Sequence, residues 1–502
     1  MNAREAYEKL KEASRHTARL EELTELASWD QRTMLPPKGH PHRAEQLSTL
    51  ALIMHERTVD PRIGELLSEA EADASLAESD PSVAANLREW RRTYDRAVKI
   101  PSALTEAWAL AAAEGETAWE AARAADDWST FSPFLEKIFT LAKEKADAVG
   151  YEKEPYDALI EDFEPGETAQ SVSTLFSALK PELTKLIEEI GASSHRPDRS
   201  ILTRLFPKDA QETFSRFAAA KIGFDFDAGR LDISTHPFTA GMGIGDARIT
   251  TRYNEHFLPS ALFGTLHEAG HGMYEQGLPA AFSGEPRGHF ASLGIHESQS
   301  RLWENLVGRS EGFWRFVYPT AQETFESLKD VSFEDFFFAI NDVKPDLIRV
   351  EADEVTYNLH IILRFELESA LLRGDLAFAD LPEAWSAKMA ESLGVRPTSA
   401  ADGVLQDVHW SAGLIGYFPT YTLGNVYAAQ IFDAAEAALG DQSAAFAEGN
   451  FAPILGWLRE NIHERGSLYR PRDLVAAATG TPPTPELLIH RLRTKYGALF
   501  HL

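Results

Sequence analysis

The 502-residue chain contains no cysteine. Disulfides, thiolate metal sites and cysteine nucleophiles are therefore excluded, and any bound metal has to be held by His, Asp or Glu. Positive charge is scarce: 49 Lys and Arg stand against 77 Asp and Glu, a formal net charge of -28. A surface of that sign repels phosphates, which argues against nucleic acid and against anionic membrane surfaces as partners. Long apolar runs are also missing. No stretch reaches the roughly 18 apolar residues that a membrane span needs. The opening segment MNAREAYEKLKEASRHTARL lacks the apolar centre of a signal peptide. The expectation is a cytoplasmic protein with no membrane partner.

What is present is core-forming material, 44% hydrophobic residues, together with 16 histidines and the large carboxylate supply. The first half reads as helix. Arg43–Glu56 places Leu47, Leu50 and Ile53 on one helical face. Alanine is dense from Pro101 to Ala125, which favours helix. Ser132-Pro133 reads as an N-cap followed by proline at the first helical position. A further helix starts near Thr168, and Asp209 with Glu212 has capping-box spacing ahead of a stop at Gly223. No internal repeat or long low-complexity linker interrupts the chain. The pattern changes between Gly229 and Tyr253. Leu231 and Ile233 alternate with polar residues, as does Ile249, and HPFTAGMGIGD lies between them. This predicts two short strands in a small antiparallel sheet within a mainly α protein.

The next segment is the most informative. LPSALFGTLHEAGHGMYEQG reads as a helix capped at Ser260 and ended by Gly277. It contains His267-Glu268-Ala269-Gly270-His271, a complete HExxH. The i, i+4 spacing puts both imidazoles on one helix face, where two nitrogens reach one zinc. Glu268 is rotated about 100° from His267 and suits a general base toward a water activated by the metal. A purely structural helix with satisfied core histidines is the alternative. Zinc chemistry needs a third protein ligand. His296 and Glu297 both have suitable donors, and spacing alone does not choose between them. Glu304 reads either as a solvated carboxylate or as a hydrogen-bond partner of a ligand. Arg248 and Arg349 are cations of undetermined use at this point. Tyr417 and Tyr421, in GYFPTYTLG after His409-Trp410, either donate to an oxyanion or pack as an aromatic loop.

Taken together these segments resemble peptidase family M32, the thermostable-carboxypeptidase type of metallocarboxypeptidase. The marks occur in order: His236-Pro237-Phe238, Asp246-Ala-Arg248-Ile-Thr250, the HExxH, His296-Glu297-Ser-Gln, Ile348-Arg349-Val-Glu-Ala352-Asp353, and Gly403-Val-Leu-Gln406-Asp407-Val-His409-Trp410. The resemblance implies one divalent ion per chain, Zn²⁺ with Co²⁺ as a substitute, held by His267, His271 and Glu297. It implies Glu268 as general base, with His409 and Tyr421 stabilising the tetrahedral intermediate. Arg349 would take the substrate's terminal carboxylate, and His236, Arg248 and Tyr417 would contact substrate. It further implies a bilobed helical fold with a deep central cleft and a small antiparallel sheet beside the HExxH helix, and a homodimer acting on peptides with a free C-terminus. Length alone allows about three domains. Motifs spread from His236 to Tyr421 favour instead one catalytic body over 1–502, with a helical region to about 225, the active-site region 226–430 and a helical tail 431–502. The rival functions are an HExxH endopeptidase or oligopeptidase, a small-molecule amidase, and a non-catalytic metal-binding scaffold.

Overall fold

The computed structural model describes residues 1–502 and is mainly α-helical, with one three-stranded sheet. The alanine-rich segment forms the helix Ser102–Ala125. Ala169–Ala192 starts at Thr168, whose side chain accepts the Ser171 N–H, and Lys208–Ile222 ends at Gly223, where φ is 111°. Only glycine adopts that left-handed backbone without strain.

Three helix starts differ from the sequence expectation. The helix Trp128–Val149 begins before Ser132, because Asp127 accepts the Ser129 N–H at 2.9 Å and nucleates the turn, which leaves Pro133 inside. Lys208 follows Pro207 directly, so Asp209 lies in the first turn and makes no capping box. The HExxH helix runs Leu258–Gly277 with Pro259 in its first turn, so Ser260 is internal.

The sheet is mixed, not antiparallel. Its strands are β1 (Gly229–Ile233), β2 (Thr239–Gly241) and β3 (Ala247–Thr251), in the order β1-β3-β2. The glycine-rich segment between the two expected strands supplies a third, β2. A tight turn closed by Met242 N–H to Asp246 O at 2.9 Å makes β2 and β3 antiparallel. The chain between β1 and β2 passes to the far side of β3, so β1 and β3 run parallel. Thr251 of β3 donates to the Ala261 carbonyl, and Thr239 of β2 donates to Glu268, so both strands engage the HExxH helix.

Contacts divide the chain into two compact units, each assembled from three segments. One comprises Met1–Val98, Pro197–Ile340 and Ala428–Pro482; it contains the sheet and the HExxH helix. The other comprises Lys99–Arg196, Asn341–Tyr427 and Pro483–Leu502. Its central helix, Tyr357–Arg373, is buried on nearly every side, including Asn358, His360, Arg364 and Glu368. No helix is long and apolar enough to cross a membrane.

Candidate active site

In the first unit, His267 and His271 stand one turn apart on the Leu258–Gly277 helix, with ring centroids 4.9 Å apart. A second helix, Leu293–Arg301, is started by Ser292, whose hydroxyl accepts the Ile295 N–H at 3.0 Å. It brings Glu297 against the two imidazoles. The close approach depends on Gly270. A Cβ there would sit 2.6 Å from the Gln299 carbonyl oxygen and 2.7 Å from Ser300 Cα, both rigid backbone. The glycine inside the HExxH therefore sets the spacing between the two helices.

Oε2 of Glu297 lies 3.6 Å from His267 Nε2 and 3.4 Å from His271 Nε2. Tetrahedral ligation with bonds of about 2.1 Å puts donor atoms roughly 3.4 Å apart. Two imidazole nitrogens and a carboxylate oxygen, all within 4.8 Å of one another, thus fit one divalent ion. The protonation states agree with this. Burial pushes His271 down to about 3, so its imidazole is neutral and has a lone pair to give. Burial alone would raise Glu297, but Arg301 and the imidazoles outweigh it and hold the carboxyl well below its usual range. His267 is raised: its burial is outweighed by Glu297 and by its hydrogen bond with Glu304. Carboxylates that favour a proton on His267 equally favour a metal cation beside it.

The outward nitrogens are also occupied. His267 Nδ1 lies 2.9 Å from Glu304 Oε2. Glu304 sits on a π-helical turn, Leu302–Val307, continuing the second helix. Opposed by burial, Arg301 and His267 hold Glu304 down to about 2. Arg301 donates to Glu297 at 2.7 Å and to Glu304 at 3.0 Å, tying the two carboxylates together. His296 meets the outward nitrogen of His271, with Nδ1 2.6 Å from His271 Nδ1 and Nε2 2.8 Å from Glu275. Glu268 is buried, and that burial raises its carboxyl. Its Oε2 accepts a hydrogen bond from Thr239 at 2.7 Å.

The second unit holds the other group of residues. Arg349 is buried; its Nε donates to Asp407 Oδ1 at 2.9 Å and its Nη1 to the Tyr357 hydroxyl at 3.0 Å. Asp407 is shared with Arg364, whose Nε donates to Oδ2 at 2.6 Å. Burial would raise Asp407, but the two guanidiniums keep it well below the usual carboxylate range. Burial, reinforced by Arg349, pushes His409 down to about 3, so it is neutral. Two cations against one anion leave this buried cluster with one positive charge in excess. His409 Nε2 lies 3.0 Å from the Tyr421 hydroxyl, and the Tyr417 and Phe418 rings flank it. Asp353 accepts N–H groups of Lys344, Val355 and Thr356, which shapes the turn carrying Arg349.

Two residues expected to contact substrate lie on or next to the sheet. Arg248 pairs with Asp246 through two 2.8 Å hydrogen bonds and lies 4.3 Å over the Trp29 ring. His236 is exposed, and its carbonyl accepts from Ser234. Residues that sequence reasoning overlooked are Thr239, Glu275, Arg301, Tyr357 and Arg364. For Arg364 a signal existed: an arginine within the mostly apolar segment Leu359–Leu367 must be paired when that segment is buried.

Comparison with known proteins agrees with this chemistry. A family model described as Carboxypeptidase Taq (M32) metallopeptidase matches residues 9–496. Thermostable carboxypeptidase 1 of Thermus thermophilus is 52% identical over 510 residues, covering 100% of both chains. Carboxypeptidase 1 of Bacillus subtilis is 40% identical, covering 99% of each. The crystal structure of the M32 carboxypeptidase from Deinococcus radiodurans R1 superposes with a TM-score of 0.96 at 40% identity, over 99% of this chain and 100% of that one.

Proposed function

The chain belongs to the M32 metallopeptidase family, and from that premise we propose that it is a metal-dependent carboxypeptidase releasing single amino acids from peptide C-termini. The observation that carries the reading is the convergence of His267, His271 and Glu297 at ligand distance, with a buried glutamate next in sequence to the first histidine. The His₂Glu set suits Zn²⁺ and accepts Co²⁺. An ion bound there would polarise the scissile carbonyl and bring the pKa of a water toward about 7.

The chain's own groups do the rest. Glu268 takes the proton of the attacking water and later gives it to the leaving amine. Its burial favours the first step, because a raised carboxyl pKa makes it a better proton acceptor. Thr239 holds the Glu268 carboxylate in place. Arg349, charged in excess of Asp407 together with Arg364, receives the terminal carboxylate; such a pairing selects an exopeptidase over an endopeptidase. Neutral His409 and the Tyr421 hydroxyl donate to the developing oxyanion. Tyr417, His236 and Arg248 contribute contacts to the peptide. We also propose that the enzyme works as a homodimer, which light scattering reads as twice the mass of one chain.

The test compares an acylated dipeptide with its C-terminal amide. The enzyme should cleave the free acid at least about 100-fold faster, and Arg349→Ala should abolish that preference. Equal losses on both substrates refute the anchor role, and internal cleavage of C-terminally blocked peptides favours the endopeptidase alternative. Glu268→Gln should retain one zinc per chain by metal analysis while losing turnover. A metal-free Glu268→Gln enzyme undermines the base assignment.

A further inference from the structure

Glu368 is fully buried, lies outside the residues assigned above, and accepts three hydrogen bonds. Trp410 Nε1 donates to its Oε1 at 2.7 Å; the Tyr156 hydroxyl donates to its Oε2 at 2.8 Å, and the Gly416 N–H reaches the same oxygen at 3.3 Å. Burying a carboxylate is unfavourable unless it finds hydrogen-bond donors, and here they come from two segments, Tyr156 from one and Trp410 with Gly416 from the other. Trp410 and Gly416 stand at the ends of the stretch that follows His409.

The same helix holds the other side of His409. Arg364 lies one turn before Glu368, on the same face, and binds Asp407. Residue 407 is thus fastened by Arg364 and residue 410 by Glu368, with His409 between them. The Trp410 indole has no freedom to swing, since the rings of Phe139, Trp385 and Phe418 pack edge-on against it at 5.7 to 6.3 Å. Gly416 has φ of 90°, and a Cβ there would lie 3.0 Å from the backbone of Leu159 and Ile160, so the loop end seats tightly enough for its N–H to reach Glu368.

We infer that Glu368 is a positioning residue for His409: from the helix Tyr357–Arg373 it fixes the 407–416 segment so that the imidazole and the Tyr421 hydroxyl keep their 3.0 Å relationship. The inference rests on the proposed role of His409 in oxyanion stabilisation. An apolar residue would fill the same volume without a desolvation cost, but it would not orient the indole or the Gly416 amide.

The test is a double-mutant cycle on the full-length, metal-loaded enzyme with an acylated dipeptide. His409→Ala should lower kcat about 100-fold, the usual effect of losing one oxyanion donor. Glu368→Gln, which keeps the shape but turns one acceptor into a donor, should lower kcat about tenfold with KM changed less than about twofold, as expected for a displaced catalytic group. In the His409→Ala background the same Glu368→Gln change should have no further effect. Multiplying losses would overturn the positioning role while leaving that of His409 intact. An unchanged kcat in His409→Ala overturns both, and an unchanged kcat in Glu368→Gln overturns the positioning role alone. If Glu368→Gln does not fold, Trp410→Phe, which removes only the donor to Oε1 and keeps a ring, takes its place in the cycle under the same criteria.

Discussion

The Nδ1 atoms of His271 and His296 lie 2.6 Å apart, so one must carry a proton and the other must accept it. A metal on His271 Nε2 needs that nitrogen's lone pair, which leaves the His271 proton on Nδ1. His296 Nδ1 is then the acceptor, and its remaining proton sits on Nε2, facing Glu275 Oε1 at 2.8 Å. His267 reaches its carboxylate, Glu304, directly, whereas His271 reaches Glu275 through an intervening imidazole. His296→Ala should therefore weaken metal binding by about 10–100-fold, the range found for such supporting partners. Competition against a chromophoric chelator measures it, and an unchanged dissociation constant would show that His271 orients itself.

Gly270→Ala tests the contact between the two ligand-bearing helices. A methyl 2.6 Å from the Gln299 carbonyl cannot be relieved by a side-chain rotation, so the backbones must separate. We expect a stability loss of roughly 1–3 kcal/mol and a metal content below one ion per chain after dialysis. Full metal occupancy with unchanged urea unfolding would show that the helices tolerate the shift.

Asp407→Asn removes the anion shared by Arg349 and Arg364. Two buried guanidiniums would then face each other without compensation. The expected loss is roughly 3–5 kcal/mol in urea unfolding, with KM for free-acid dipeptides raised because Arg349 loses its orientation. A variant matching the parent in both quantities would mean that Tyr357 alone holds Arg349.

Stability should carry a pH signature from Glu368. Burial pushes its carboxyl from an ordinary 4.5 up to about 7. The folded state therefore binds this proton more tightly than the unfolded chain. The stabilisation is complete below about pH 4.5 and is lost as pH rises to about 7, with up to about 3 kcal/mol at stake. Glu368→Gln cannot titrate, so between pH 5 and 8 its stability relative to the parent should rise with pH. Parallel curves from urea melts across that range would contradict the assignment.

Glu268 and the two histidines were legible because HExxH is a local pattern: i, i+4 spacing on a helix fixes their relation without reference to the rest of the chain. The helical first half was legible from alanine content and periodicity for the same reason. Helix starts were read less well where an Asp127 turn or a Pro207 boundary outcompeted the expected cap. The sheet's parallel pair was illegible, because strand order depends on where a 13-residue connection crosses, and alternation shows only which face is buried. Arg364 and Glu368 left a faint trace, as charges inside an apolar helix, but their partners at Asp407 and Trp410 are some 40 residues away.

The sequence by itself determined the donor chemistry: no thiols, a histidine pair with a glutamate beside it, and an ordered set of motifs specific enough to imply a family. Tertiary structure decided which neighbour of the pair faces the ligand nitrogens. His296 and Glu297 are equivalent candidates by spacing, and the approach of two helices across Gly270 turns Glu297 toward the Nε2 atoms of both histidines and His296 toward His271 Nδ1 and Glu275. It also decided the charge balance around Arg349, since one carboxylate shared by two arginines exists only after the 407–410 segment docks on the Tyr357–Arg373 helix. Local periodicity specifies relations within a turn or two of chain; distances between separate elements are set by packing, and it is those distances that convert suitable residues into a site.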